Sequence, residues 1–261
     1  MTLYIHELKQ NKISLAVWTA AIALFMVACI VIYPEMENDM EEMGEMFASM
    51  GSFTAAFGMD RLSFGTLTGY YAIECGNVLG IGGAFFAALT GIAALAKEEK
   101  DHTAEFLLTH PVSRSQVIVA KLASVMTQII LLNAAVLAAS AASIELMDLD
   151  AEWKNVLLMH MAYFVLQIEL GGICFGLSAF IRGGSLGAGL GFALVLYFMN
   201  LLKNITDEAE FLKYVTPFAY SDGADIVDAG ALDGGLVALG MAYMLVALAA
   251  GFWWYRRKDI G

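Results

Sequence analysis

The sequence predicts an all-α protein that crosses a membrane six times. Three observations carry that expectation. Hydrophobic residues make up 59% of the chain and charged residues only 15%, and mean hydropathy is +0.69, far too apolar for a soluble domain of 261 residues. Six apolar stretches, at about 13–33, 72–95, 122–142, 155–180, 185–203 and 235–255, are each long enough to cross ~30 Å of hydrocarbon as a helix. The basic residues, finally, are segregated. Of the 14 Lys and Arg, ten fall in the four pieces near 1–12, 96–121, 181–184 and 256–261, which an even number of spans puts on one side. Only Arg61, Lys154, Lys203 and Lys213 fall on the other. The positive-inside rule makes both termini and the 96–121 loop cytoplasmic, in a multi-pass protein of the plasma membrane. The whole of 1–261 reads as one transmembrane domain.

The formal charge of −12 is spread unevenly. Eighteen of the 26 acidic residues lie in the three outer loops, six on the cytoplasmic side, and two, Glu74 and Glu169, inside spans. An acidic outer surface is a feature of solvation and topology. No basic stripe for nucleic acid exists. Cys29, Cys75 and Cys174 sit in spans at no ligand spacing and read as small apolar packing residues, and no metal site is expected.

Residues 1–12 carry Leu3, Tyr4 and Leu8 against Glu7, Lys9 and Lys12, which fits a short amphipathic helix lying in the cytoplasmic interface before the chain turns into span one. The first outer loop, about 34–71, opens with Pro34. Met36, Met40, Met43, Met46 and Met50 then recur at helical steps with acidic residues between them. Thioethers in a row suit a soft ion such as Cu(I), but no His or Cys reinforces them. The favoured reading is a flexible apolar face that packs on the span tops or meets varied apolar ligands, with Met43, Met46 and Met50 as candidates for a substrate pathway. Gly51 to Gly69, rich in Gly, Ser, Thr and Phe, reads as a loop returning to span two.

Glu74 near the outer end of span two can reach interfacial water or face the pathway. Glu169 lies deeper in span four, with His160 nearer the outer end of the same helix. An ionisable group at depth marks a cavity or ties two helices together, and the sequence leaves both open. Gly172 with Gly176, and Gly187 with Gly191, form small-x-x-x-small pairs, faces for close packing within the subunit or across a dimer.

Between spans two and three, Lys97 to Lys121 is a charged interruption with coherent local signals. Asp101 caps a short helix running to about Leu108, with Glu105 in its early turns and Phe106, Leu107 and Leu108 at its end. Pro111 stops it. Ser113 opens the next helix through a capping box with Gln116, flanked by the staple positions Val112 and Val117. An ordered helix between two spans is a shape for docking a partner. Arg114 and Lys121 then either anchor lipid headgroups or contact protein. Beyond span five, Glu208 to Val215 predicts an amphipathic or partly re-entrant helix broken by Pro217. Trp253, Trp254 and Tyr255 form an interfacial belt before Arg256, Arg257 and Lys258.

Taken together, several of these segments resemble the ABC-2-type permeases, the membrane subunits of one class of ABC transporter. The loop is similar to theirs in Glu98 or Glu99, Thr103, Glu105, Leu107, Leu108, Pro111, Val112, Ser113, Arg114 and Lys121, with His102 where that family usually has glycine. Glu7, Lys9 and Trp18 resemble the family's elbow helix and the start of its first span. Tyr214, Val215, Thr216, Pro217 and Phe218 resemble its motif before the last span, and the R-R-K-D-I-G ending is similar to its usual close. The resemblance implies an exporter subunit working as a homodimer or heterodimer, with a coupling helix inserted into a cleft on a separate ABC ATPase subunit. Docking falls on Glu98, Glu99, Glu105, Phe106, Leu107 and Leu108, with Pro111 and Arg114 holding the turn. ATP and Mg belong to that partner, since no G-x-x-x-x-G-K-[ST] loop occurs in this chain. Outer loops rich in Met and Phe suit amphipathic peptides, hydrophobic drugs or lipid-like molecules. An ion-gradient-driven transporter using Glu169 is the alternative. An intramembrane enzyme ranks lower, because no H-E-x-x-H occurs and His6, His102, His110 and His160 are scattered.

Overall fold

Span one sets the longest dimension of the protein. The structure, a computed structural model, describes residues 2–48, 50–100, 113–181 and 186–258, and the side chains of these except at 36–48 and 97–100. Helix α1 runs unbroken from Thr2 to Ala48, with Pro34 inside it. At 1.5 Å per residue it is about 70 Å long, more than twice the thickness of the hydrocarbon. The interfacial helix expected over residues 1–12 is therefore no separate element. It is the first turns of α1, since no Gly or Pro interrupts the helix before Pro34. The outer loop expected to open at Pro34 does not begin there. Pro34 forfeits one i−4 hydrogen bond and the helix continues across it.

After α1 come α2 (Ser52–Ala56), within the stretch expected to be loop, and α3 (Leu67–Cys75), which Thr66 caps by accepting from the Gly69 amide. A π-helical turn, Gly76–Ile81, joins α3 to α4 (Gly82–Lys100). Residues 101–112, where the docking helix is expected, lie outside the described residues. Helix α5 (Arg114–Leu146) begins at the expected capping box: the Ser113 hydroxyl accepts from the Gln116 amide, and the Gln116 side chain accepts from the Ser113 amide. Helices α6 (Trp153–Ser178) and α7 (Leu186–Ile205) follow. Two 3-10 segments, Asp207–Tyr214 and Pro217–Ala219, then lead to α8 (Gly223–Ala229) and α9 (Gly234–Arg257). The predicted Glu208–Val215 helix is thus a tighter 3-10 coil. Pro217 opens the second segment at the position where its missing N–H costs nothing. There is no strand among the described residues.

Six of these helices are long and apolar enough to cross a membrane: Thr2–Glu35, Leu67–Ala96, Arg114–Leu146, Trp153–Ser178, Leu186–Ile205 and Gly234–Arg257. Their burial ranks them. The span-four and span-two windows are 61% and 56% buried, against 11% for span six, so α3–α4 and α6 form the centre and the others pack around them. Helix α1 lies along α5, α7 against α4, and α9 against α6.

Glycine decides how closely these helices approach. A Cβ on Gly176 would stand 2.3 Å from the Ala247 carbonyl oxygen, and one on Gly172 2.5 Å from Met244 Cγ, so the first small-residue pair seats α9 on α6 within the subunit. The second pair does not pack inside the chain. Gly187 and Gly191 are exposed, and it is Gly189 that meets α4, at the Ala88 carbonyl and Ile92. Gly176→Ala is accordingly expected to cost about 1–3 kcal/mol, because a backbone carbonyl must move. Gly191→Ala should stay within about 0.5 kcal/mol. Thermal unfolding of the two variants in lipid nanodiscs measures the difference.

Candidate transport pathway and coupling site

The polar residues of an apolar bundle mark where its helices are fastened, since hydrocarbon offers them no partner. At mid-depth the Asn133 amide of α5 donates to Gln167 Oε1 of α6 at 2.7 Å and to the Ile129 carbonyl at 2.9 Å. Gln167 Nε2 in turn donates to the Leu79 carbonyl, 3.4 Å away in the π-helical turn. A π turn shifts the carbonyls out of α-helical register, and such turns gather at functional sites. Gly80 and Gly83 make room for it. A Cβ on Gly83 would lie 2.1 Å from Gln167 Nε2, and one on Gly80 2.9 Å from the Tyr163 ring. Spans two, three and four thus meet through two amides and one carbonyl.

Glu169, the deep carboxyl singled out in the sequence, is buried and tied to the last loop. Tyr220 donates its hydroxyl to Glu169 Oε2 at 2.8 Å, and Gly240 of α9 leaves the space the carboxyl occupies. Both features the sequence left open are present: the carboxyl ties two elements together and also lines a small pocket with Thr216, Tyr220 and Gly240. The loop itself is pinned by the motif Thr216-Pro217-Phe218. The Thr216 hydroxyl donates to the Leu196 carbonyl of α7 at 2.7 Å and accepts from the Phe218 amide, while Phe218 sits edge-on to Tyr197 at 5.4 Å. Thr216, Phe218 and Tyr220 are all buried, so this loop plugs one end of spans four, five and six. Glu74 is half-buried and accepts from the Cys29 thiol at 3.6 Å, a weak contact between spans two and one. His160 shares a 2.7 Å hydrogen bond with Tyr71. Met50 is exposed just beyond α1, and the side chains of Met43 and Met46 lie outside those described, although their backbone is helical.

A clasp of charges closes the same end. Arg61 meets Asp225 at 2.6 Å and Asp222 at 3.5 Å, and Lys203 of α7 meets Asp225 at 3.3 Å. The first outer loop is thereby joined to α8 and α7. Asp222 also caps α8 at the Ala224 amide and accepts from Asn204 at 2.8 Å. Burial pushes the Asp225 pKa up, but the Arg61 hydrogen bond and the nearby Lys203 outweigh it, and the net shift is downward.

The opposite end, where the chain enters and leaves the 101–112 loop, carries two further ties. Lys121 of α5 and Glu7 of α1 form an ion pair at 2.9 Å, with side-chain exposures of 1% and 8%, so this is a buried pair rather than a surface one. The Arg114 guanidinium donates to the Lys258, Arg256 and Tyr255 carbonyls at 2.6, 3.3 and 3.4 Å, capping the C-terminus of α9. Lys258 Nζ extends the chain of contacts to the Ala179 carbonyl at the end of α6. Arg114 and Lys121 both contact protein and hold helix ends. Glu98 and Glu99 lie on the helical backbone of α4 with side chains outside those described. Glu105, Phe106, Leu107, Leu108 and Pro111 lie outside the described residues altogether.

A model of the ABC-2 family transporter proteins matches residues 1–260, nearly the whole chain. The protein belongs to the ABC-2 transporter family. It is a multi-pass membrane protein, the permease subunit of an ABC transporter, and this class of subunit transports rather than catalyses and associates with ABC ATPase partners. No curated protein matches it.

Sequence reasoning found Glu7, Lys121, Arg114 and Glu169 but paired none of them. It passed over Gln128, Asn133 and Gln167, whose signal is an amide in an otherwise apolar span. Tyr220 carried no signal, since its role depends on the chain folding back onto Glu169.

Two expectations test these ties. Lys121→Met should cost about 3–5 kcal/mol by stranding a buried carboxylate, and Glu7→Gln with Lys121→Met together should recover most of it, as melting temperatures of the three forms would register. The Arg61 clasp should depend on pH with a definite sign. A depressed Asp225 pKa contributes stability that is complete above the ordinary aspartate value of about 3.9 and is lost as pH falls through the lower folded value. Arg61 and Asp225 are more than a third exposed, so screening holds the contribution below about 1 kcal/mol. Arg61→Ala should lower the melting temperature slightly at pH 7, and the gap should narrow as pH falls below the ordinary aspartate value.

Proposed function

We propose that this permease is the membrane subunit of an ATP-driven exporter of the plasma membrane, with both termini and the 101–112 loop in the cytoplasm. The whole chain acts as one transmembrane domain, and two such chains, identical or different, enclose the pathway. Each chain docks a separate ATPase subunit through residues 97–115, using Glu98, Glu99, Glu105, Phe106, Leu107 and Leu108, with Pro111 and Arg114 bracing the turn. ATP and Mg are bound by that partner. Closure of the ATPase pair pushes the loop, and the push switches the spans between two arrangements. The cargo is amphipathic: a peptide, a hydrophobic drug or a lipid-like molecule.

The observation that carries this reading is how the loop is mounted. It leaves α4 directly and enters α5 through the Ser113 capping box. One residue later Arg114 grips the end of α9, which Lys258 joins to α6, and two turns on Lys121 grips α1. A force on the loop is therefore delivered to spans two, three, four, six and one through helix ends tied to one another. The π turn between α3 and α4 supplies a point at which span two can bend. Glu169 accepts the Tyr220 hydroxyl, which gives that carboxyl a structural role in fastening the last loop.

Glu105→Lys combined with Leu108→Asp should release the ATPase chain that copurifies with the wild type, while the melting temperature of the membrane protein stays the same. An unchanged complex, or the absence of any ATPase from the purified wild type, would overturn the coupling scheme.

A further inference from the structure

Helix α9 ends on the side of the 101–112 loop, and its last turn carries an exposed surface of cations and aromatic rings. Side chains on a helix lean back toward its N-terminus, so the two arginines here lie along the span instead of reaching away from it. The Arg257 guanidinium stands 4.3 Å from the Trp253 ring centre and the Arg256 guanidinium 5.9 Å from that of Phe252, each over the residue four before it. The rings of an aromatic belt sit at headgroup depth. Both guanidiniums are thereby held at the level of lipid phosphates rather than out in water. Both arginines are exposed, and neither makes a hydrogen bond or ion pair with a described residue, so their N–H groups are unspent. Arg114 reinforces the charge from behind. It reaches within 3.3 Å of the Arg256 carbonyl, and its own partners among the described residues are carbonyls, which leave its charge in place. Beside the three guanidiniums, Trp253, Trp254 and Phe180 are exposed, with Phe180 stacked on Trp254 at 5.4 Å.

From this surface we infer a binding site for an acidic phospholipid, whose phosphodiester is held by Arg256 and Arg257 while its glycerol and upper acyl carbons lie against Trp253, Trp254 and Phe180. A guanidinium presents paired N–H donors that match phosphate oxygens. Net charge decides the class of lipid. Phosphatidylcholine carries the same phosphate together with a quaternary ammonium, which the arginines repel. The ring face by which Trp253 would hold that ammonium is covered by Arg257. In the orientation proposed above the site faces the inner leaflet, but the binding itself requires neither that orientation nor an ATPase. Since Arg114 grips the same helix end next to the loop, a lipid bound here braces the end of α9.

The full chain in a neutral detergent, titrated with dioctanoyl-phosphatidylglycerol and followed by native mass spectrometry, should take up lipid saturably, and dioctanoyl-phosphatidylcholine should bind at least about fivefold more weakly. Arg256→Gln with Arg257→Gln should weaken phosphatidylglycerol binding about fivefold or more, since one arginine near an anionic lipid surface contributes roughly that factor. Each single substitution should produce part of the loss, and the singles carry the test if the double variant fails to fold. Lys9→Gln with Lys12→Gln removes two exposed cations of α1 at the same end of the bundle and should leave binding within about twofold. Equal binding of the two lipids, parental binding by the arginine variants, or an equal loss from the lysine pair, which would mean diffuse attraction of charge, would overturn the inference. Loss of ATPase capture by the double arginine variant with phosphatidylglycerol binding unchanged would assign the surface to the partner protein instead. Selective phosphatidylglycerol binding by a chain that captures no ATPase would sink the coupling scheme and leave this site standing, and ATPase capture without lipid selectivity would do the reverse.

Discussion

Hydrocarbon cannot hydrogen-bond, and that constraint organises this protein more than any single contact. A polar side chain in a span must be met by another part of the chain or line a cavity, so each one becomes a fastening or an opening. Asn133, Gln167 and the Leu79 carbonyl fasten spans three, four and two at mid-depth. Glu169 and Tyr220 fasten span four to the last loop. Glu7 and Lys121 fasten span one to span three. Not every buried atom is met: Gln128 Oε1, Asn133 Oδ1, Ser140 Oγ and His160 Nδ1 are among those without a hydrogen-bond partner. Individual hydrogen bonds between membrane helices contribute modestly, about 0.6 kcal/mol on average. Their weight here lies in register: they fix which helices move together.

The distribution of fastenings divides the molecule. The α4–α6 centre is packed tightly at glycines, Gly91 against the Gly171 carbonyl and Gly83 against the Gln167 side chain, and the seam from α6 to α9 is closed glycine to backbone at Gly176. The outward faces of α1, α7 and α9 instead carry Ile13, Val17, Leu24, Val195, Phe198 and Val246, exposed and apolar as lipid or a second subunit requires. Such a body has a stiff interior and a surface free to slide. It suits a subunit whose energy comes from elsewhere, because a push at one end is carried through the interior rather than absorbed.

The two ends are built from different chemistry. At one, the partly exposed Arg61 and Asp225 join loops together with the more buried Asp222 and Lys203, and water and salt weaken the Arg61–Asp225 attraction. At the other, Lys121 and Glu7 are buried, and Arg114 caps a helix through three carbonyls. Charges held away from water give up little when the surroundings change, so the end next to the 101–112 loop is the firmer of the two. Under the proposed coupling, the firm end receives the push and the screened clasp at the far end is the part that can yield.

How much of this was legible in the sequence follows from the range of each interaction. Six spans, the Ser113 capping box and the turn at Pro217 were readable because hydrophobic length, capping and proline geometry act over a few residues. The family resemblance was readable for the same reason, since its motifs are short and contiguous. Local signals misled where tertiary packing outweighed them: Pro34 did not end α1, and Gly187 and Gly191 did not pack within the chain while Gly189 did. The pairings could not be read at all. Glu7 stands 114 residues from Lys121, and Glu169 stands 51 from Tyr220, and nothing in either neighbourhood names its partner. Sequence by itself determined how many times the chain crosses and where its helices begin, because those follow from transfer of side chains out of water and from local backbone chemistry. Only the tertiary structure decided which buried polar groups find partners and which do not, because that depends on where separate helices come to rest against each other.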